Sequence, residues 1–215
     1  MKNHDIVKLC ADSLRTFLSE KHGIKLKSGH AHEIVAAFLG YKSAVAMRQD
    51  TRCPITSLDQ AEYILFDIPT SLVEQRLASL TELPPDLPPS YVLAEGIYSV
   101  LVAQERAGER LWPSFHDLAV FLGEAALQQQ IGHLRMNPAP QWIIDVEKEF
   151  TEEAVLMNVA FDYLATDGKR LSQAKINITL PRMAGNIGYG KATVVPILYS
   201  GHMRDPDFRL KHGNF

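Results

Sequence analysis

The amino-acid sequence predicts an α+β fold, in which a helical N-terminal part is followed by an antiparallel β-meander of about four strands. Up to about residue 134, apolar residues recur at the 3.6-residue spacing of helices. After Asn137-Pro-Ala-Pro the spacing changes to the two-residue alternation typical of strands. We therefore expect a basic helical module at 1–53, a helical region at 54–136 and a β-rich part at 137–215.

The first three helices are predicted from apolar spacing and end signals. Residues 4–21 form an amphipathic pattern that Gly23 ends. Ser28 is positioned to cap a second helix, which Gly40 ends, and Ser43 a third helix reaching about Arg48. The second and third helices together have the outline of a helix-turn-helix.

Further helices follow from capping-box spacings, in which a Ser precedes Gln, Glu or Asp by three residues. They begin at Ser57, Ser71 and Ser114. The segment 83–90, LPPDLPPS, has four prolines in six residues and is predicted to be a non-helical connector. Residues 91–107 again have helical spacing, and the helix from Ser114 is expected to run to about Leu134.

The β-rich part is predicted from alternation and turn signals. Strands are expected at 142–146, 154–165, 175–180 and 192–199. Asp167-Gly168, between two alternating runs, predicts a tight hairpin. Pro196 predicts an edge strand or a bulge, because proline cannot donate to a sheet.

Composition excludes several classes of protein. Of the 215 residues, 46% are hydrophobic and 22% are charged, which is ordinary globular usage. The N-terminus has no apolar run between its charges, and no window approaches the ~20 apolar residues of a membrane span. Cys10 and Cys53 lack the CxxC partners of a zinc ribbon or disulfide scaffold. We expect a soluble cytoplasmic protein with no membrane partner.

The charge is distributed unevenly along the chain. Residues 1–53 have nine Lys or Arg against five Asp or Glu, a net charge of +4. The rest of the chain has 13 against 20, a net charge of −7. A basic front is suited to an anionic partner, although a solvated face of ordinary composition explains a charge of this size equally well.

The helix-turn-helix outline nominates a DNA-binding element over 33–48. Ala36 is small where two helices would cross, and Gly40 and Tyr41 stand at the turn. The match weakens in the second helix, at Ala46 and Gln49, where bulkier apolar residues are usual. A plain helical hairpin that packs on the first helix is the alternative. The residues offered to phosphates and bases would be Lys42, Ser43, Arg48 and Arg52.

The same stretch resembles a known module. Leu26–Met47, LKSGHAHEIVAAFLGYKSAVAM, is similar to a small N-terminal helical module of the glyoxalase-related type, found in bacterial proteins carried by plasmids, phages and integrative elements. The shared features are a Ser/His/Glu helix start, an Ala-rich helix, Gly-aromatic at the turn and a second Ala-rich helix. The resemblance implies a mobile-element context rather than a particular activity. The remainder of the chain shows no such likeness.

Two other motifs suggest binding sites. His30, His32 and Glu33 suggest a metal site, but residues two apart on a helix point to different sides, so both histidines could chelate only if His30 precedes the helix. More distant ligands would have to come from His116, His133 or His202. Gly185–Lys191 matches GxxxxGK, yet a strand rather than a helix is predicted to follow, which favours a glycine-rich β-loop.

The sequence leaves three functional hypotheses open. The first is a bacterial mobile-element accessory or regulatory protein that binds DNA through the N-terminal module. The second is a protein–protein assembly subunit, bound to itself or to another protein, without nucleic acid. The third is a metal-dependent enzyme. No catalytic residue, metal ligand or cofactor is assigned, and a non-enzymatic role is favoured over an enzymatic one.

Overall fold

The computed structural model describes residues 6–67, 69–103, 108–130, 145–164 and 171–198. It confirms the α+β class, with helices early in the chain and a mostly antiparallel sheet later. Contacts group the chain into two compact units. The first unit comprises the described residues up to Asp117 together with 152–154 and 180–191. The second comprises those of 118–151, 155–179 and 192–198.

These units do not follow the three predicted segments. The basic module at 1–53 shares the first unit with residues as far along as Lys191. The contacts thus divide the chain differently, without testing the predicted domain boundaries. The boundaries after residues 53 and 136 stay a prediction.

The helices lie close to their predicted positions. Their bounds are α1 Ile6–His22, α2 Ser28–Phe38, α3 Ala44–Gln49, α4 Thr70–Ser79, α5 Ser90–Ala103 and α6 Phe115–Gln130, with short 3-10 helices at Ile55–Gln60 and Gly108–Arg110. Residues 83–89 of the connector are non-helical, as predicted, and Ser90 is already the first residue of α5. The predicted ends of two helices, at 104–107 and 131–134, lie outside the described residues. No described helix is both long and apolar enough to cross a bilayer.

Three of the predicted helix starts differ from the structure. Ser28 is the first residue of α2 rather than its cap, and no side chain caps that helix. Ser57 lies inside the 3-10 helix, because its amide donates to the carbonyl of Pro54. Before α4 the cap position belongs to Pro69, which has no side-chain oxygen. Ser114 confirms its prediction, since its Oγ accepts from the Asp117 amide at 3.1 Å.

The core of the first unit lies between helices. α1 packs against α2 and α5, and α2 packs against α4. Fully buried side chains on the facing sides include Leu14, Leu18, Ile34, Phe38 and Ile97. Burying one such side chain contributes about 2 kcal/mol, so this interface contributes strongly to the stability of the unit.

A small sheet completes the first unit. β1 (Tyr63–Leu65) pairs in parallel with β2 (Leu111–Trp112) and antiparallel with β6 (Gly188–Tyr189). β6 pairs in turn with the C-terminal end of β5 (Leu171–Ala184). The sequence did not predict β1, β2 or β6, because two or three residues are too few to show alternation.

The second unit contains the predicted meander. β3 (Asp145–Phe150), β4 (Ala154–Leu164), the first part of β5 and β7 (Thr193–Leu198) are neighbours in that order. Buried Val155, Met157 and Val159 alternate with exposed residues on β4, as predicted. Among the described strands, β7 pairs with β5 alone, which agrees with the edge position inferred from Pro196. The predicted hairpin at Asp167-Gly168 lies outside the described residues.

Candidate functional site: the α2–α3 corner

The turn between α2 and α3 is closed by backbone geometry that only glycine adopts easily. Gly40 has φ +85°. Its amide donates to the Ala37 carbonyl at 3.0 Å, and the Tyr41 amide donates to the Ala36 carbonyl at 2.9 Å. This pair of bonds is a Schellman motif, which satisfies the last carbonyls of α2. We call residues 39–49, the turn together with α3, the α2–α3 corner.

The start of α3 is held by two side-chain acceptors. Ser43 confirms its predicted role as cap, because its Oγ accepts from the Ala46 amide at 3.1 Å. Glu33, on α2, accepts from the Ala44 amide at 2.9 Å. The same carboxylate pairs with Arg76 of α4 at 2.7 Å, with only 23% and 21% of the Arg and Glu side chains exposed. Glu33 therefore fastens α3 to two other helices.

The end of α3 is held by a tyrosine and an aspartate. The Tyr41 hydroxyl lies 3.0 Å from both Asp50 Oδ2 and the Cys53 carbonyl oxygen. Asp50 Oδ1 accepts from the amides of Arg52 and Cys53, each at 3.0 Å. Burial acts to raise the pKa of Asp50, but these hydrogen bonds outweigh it and hold the pKa below its ordinary value. Burial is also the main reason that the pKa of Tyr41 is raised.

A loop from far along the chain closes on the corner. Asn186 donates from its amide to the Leu39 carbonyl at 3.2 Å and from Nδ2 to the Gly40 carbonyl at 3.0 Å. Tyr189, fully buried, donates to the Asn186 carbonyl at 2.7 Å. Residues 185–191, the GxxxxGK match, thus form a turn followed by β6, which confirms the predicted glycine-rich β-loop.

The four predicted DNA-binding residues all lie on the corner or just after it, in different environments. Lys42 and Arg48 are exposed, and neither forms an ion pair within the described part of the chain. Ser43 is half-buried and engaged as the cap. Arg52 is exposed but pairs with Glu152, from the turn between β3 and β4.

The shape of α3 limits what it can read. With six residues it has less than two turns, about 9 Å in length. Its buried residues are Ala44 and Met47, whereas Val45 is 48% exposed between the cations. Gln49, where an apolar contact is usual in a helix-turn-helix, is exposed because the helix ends there. A helix this short is better suited to phosphate contacts than to reading a series of bases.

The His and Glu side chains at the start of α2 form contacts that differ from those of a metal site. Both His30 and His32 lie inside α2, so the condition for joint chelation is not met. His32 Nδ1 is 2.8 Å from the Ser28 carbonyl oxygen. Glu33 is engaged as described above. Among the described residues, no three His, Cys, Asp or Glu side chains are grouped closely enough to hold a metal ion.

Sequence reasoning missed the partners of the corner that are remote along the chain. Asn186, Arg76 and Glu152 have no local pattern that marks them, because each acts only through a contact that folding creates. Gly40 and Ser43 did have local signals, since a glycine after an Ala-rich helix predicts a turn and a serine before a helix predicts a cap.

Comparison with known proteins adds no relative: no family profile, curated protein or solved structure matches this chain.

Proposed function

We propose that this protein binds DNA through the α2–α3 corner, by contacts to phosphates, as an accessory or regulatory protein of a mobile element. The observation that carries the proposal is the placement of Lys42 and Arg48. Both side chains are exposed; Lys42 lies just before the short helix α3 and Arg48 near its end. Hydrogen bonds fix both ends of that helix. Cations on a preorganised backbone lose less freedom on binding than cations on a mobile loop.

The capping serine adds a third contact of a different kind. Ser43 Oγ uses a lone pair to accept from the Ala46 amide, which leaves its own O–H able to donate. A hydroxyl that donates to a phosphate oxygen fixes register along the backbone without adding charge. The corner would therefore contribute two charged contacts and one neutral contact.

The resemblance of Leu26–Met47 to a module of plasmid, phage and integrative-element proteins supports the context of the proposal. The net charge of +4 in residues 1–53 supports an anionic partner for the same region.

The test is a fluorescence-polarisation titration against random duplex DNA and a single strand, at about 50 and 200 mM salt. Wild type should bind at the lower salt and weaken at the higher one. Lys42→Glu and Arg48→Glu should each reduce affinity. Lys25→Glu, which makes the same charge change at an exposed position before α2, should have a smaller effect. Equal losses in all three variants would show a diffuse charge effect and not a site.

A protein partner is the second candidate function, and Val45 favours it. An exposed apolar side chain that lies between two cations in the sequence is the mixed surface typical of protein interfaces. Val45→Asp should abolish such a complex. Absence of binding to either nucleic acid at low salt, with a Val45-dependent protein complex, would select this function over DNA binding.

A further inference from the structure

Glu152 and Glu153 belong to the first unit, where backbone contacts with Arg182 hold them. The Arg182 amide donates to the Glu153 carbonyl at 2.8 Å, and Arg182 Nη1 donates to the Glu152 carbonyl at 3.0 Å. Arg182 Nε donates to the Gly185 carbonyl at 3.1 Å. One arginine therefore holds this turn and the glycine loop together.

The segment that carries Arg52 also contacts Arg182 and the glycine loop, through Cys53. Cys53 Sγ is 3.6 Å from the Arg182 carbonyl oxygen, and the Gly185 amide donates to the Cys53 carbonyl at 2.8 Å. Asp50 holds the amides of Arg52 and Cys53. Arg52 and Glu152 thus start from two backbone segments that folding places next to each other, although 100 positions separate them in the sequence.

The side chains of Arg52 and Glu152 then form an ion pair in water. Arg52 Nη1 bonds Glu152 Oε2, with 73% and 81% of the two side chains exposed. The pKa of Arg52 is raised, first by this hydrogen bond and then by the charges of Glu152, Glu153 and Asp50. A pair this exposed contributes little to stability. The pair matters more for the electrostatic potential around Arg52, which is close to three carboxylates.

A phosphate that approached Arg52 would meet those carboxylates. The Debye length is about 10 Å at 0.1 M salt, so Glu152, in direct contact with Arg52, is not screened. Lys42 and Arg48 have no such contact within the described residues.

We infer that Glu152 prevents Arg52 from binding anions. The α2–α3 corner then binds phosphates through Lys42 and Arg48. Arg52 is added only when Glu152 is neutralised or displaced. This inference rests on the proposed function. It makes the turn between β3 and β4 an autoinhibitory contact, and any modification or partner that removes the charge of Glu152 would strengthen binding.

The salt dependence of duplex binding measures how many cations are engaged, since each contributes about −0.9 to the slope of log K against log salt. With two cations from the corner, wild type should have a slope of about −1.8, and Glu152→Gln about −2.7. The affinity advantage of Glu152→Gln over wild type should shrink about threefold between 50 and 200 mM salt. Glu149→Gln, an exposed acid of β3, is the control for loss of one negative charge and should leave the slope unchanged.

A cycle with Arg52→Gln assigns the effect to that arginine. Arg52→Gln alone should leave the wild-type slope nearly unchanged, whereas in the Glu152→Gln background it should remove the whole gain. A gain in Glu152→Gln that persists without Arg52, or that Glu149→Gln reproduces, would overturn the inference.

The remaining outcomes separate the inference from the proposed function. If wild type binds and Glu152→Gln binds identically, the proposed function stands and the inference is wrong. If wild type fails to bind and Glu152→Gln binds through Arg52, the inhibition is stronger than expected and the inference is supported. If neither binds at low salt, both are wrong.

Discussion

The side-chain amide of Asn186 donates to the carbonyl oxygen of Gly40, across 146 positions of sequence. The contact is so close that a Cβ added to Gly40 would lie 2.4 Å from Cβ of Asn186. The α2–α3 corner is therefore fixed both by its own turn and by the loop that leads into β6.

Gly40→Ala should destabilise the protein by about 2 to 4 kcal/mol, because it combines a left-handed backbone with a clash against Asn186. Gly29→Ala is the matched control. Gly29 lies in the first turn of α2 with nothing within 4 Å of an added Cβ, so alanine there should leave stability unchanged or raise it by up to about 1 kcal/mol. Urea unfolding of both variants measures the difference; equal effects would contradict the prediction.

Removing the Glu33 carboxylate should release α3. Glu33→Ala leaves the Ala44 amide without its acceptor and the half-buried Arg76 guanidinium without its carboxylate partner, at a cost of about 2 kcal/mol. Within the described part of the chain, Arg76 keeps only its hydrogen bond to Ser79 Oγ. Hydrogen exchange at the Ala44 amide should become faster. Glu74→Ala, at an exposed position of α4, should change neither quantity. Unchanged exchange at Ala44 in Glu33→Ala would show that Ser43 alone is sufficient to start the helix.

Stability should fall in acid partly through Asp50. Its pKa is lower in the folded state than the ordinary value of about 3.9, so the unfolded state binds more protons in this range. The contribution of this carboxylate is therefore complete above about pH 5 and is lost as the pH falls below about 4. Asp50→Ala should be less stable than wild type at pH 7, and the gap should narrow towards pH 3. Asp86→Ala, an exposed control, should follow the wild-type curve; a constant gap for Asp50→Ala would contradict the prediction.

Arg48 and Arg52 should differ in their contribution to DNA binding, although the sequence pattern predicts both as DNA-binding residues. Arg48→Gln should reduce the steepness of the salt slope by about 0.9, because it removes a cation that has no acidic partner in the described chain. Arg52→Gln should reduce it by much less, since Glu152 already offsets that charge. Titrations of both variants at several salt concentrations make the comparison, and equal reductions would contradict it.

Local interactions explain why much of the fold could be predicted. Ser43 caps α3 through a residue three positions away, Ser114 does the same for α6, and Gly40 closes a turn with its immediate neighbours. The alternation on β4 likewise reflects a two-residue period. The local pattern was wrong at Ser57, because the 3-10 helix already begins after Pro54 and Ser57 lies inside it.

Groups only a few residues apart predict the order of helices and strands, the place of the corner, and the four polar residues on it or just after it. Which of those charged side chains is paired within the protein depends on the folded chain. Arg52 is paired because folding brings the turn at Glu152 beside it, and Lys42 and Arg48 have no such neighbour among the described residues. The availability of a charge depends on what lies within a few ångströms of it, and those neighbours come from distant parts of the chain.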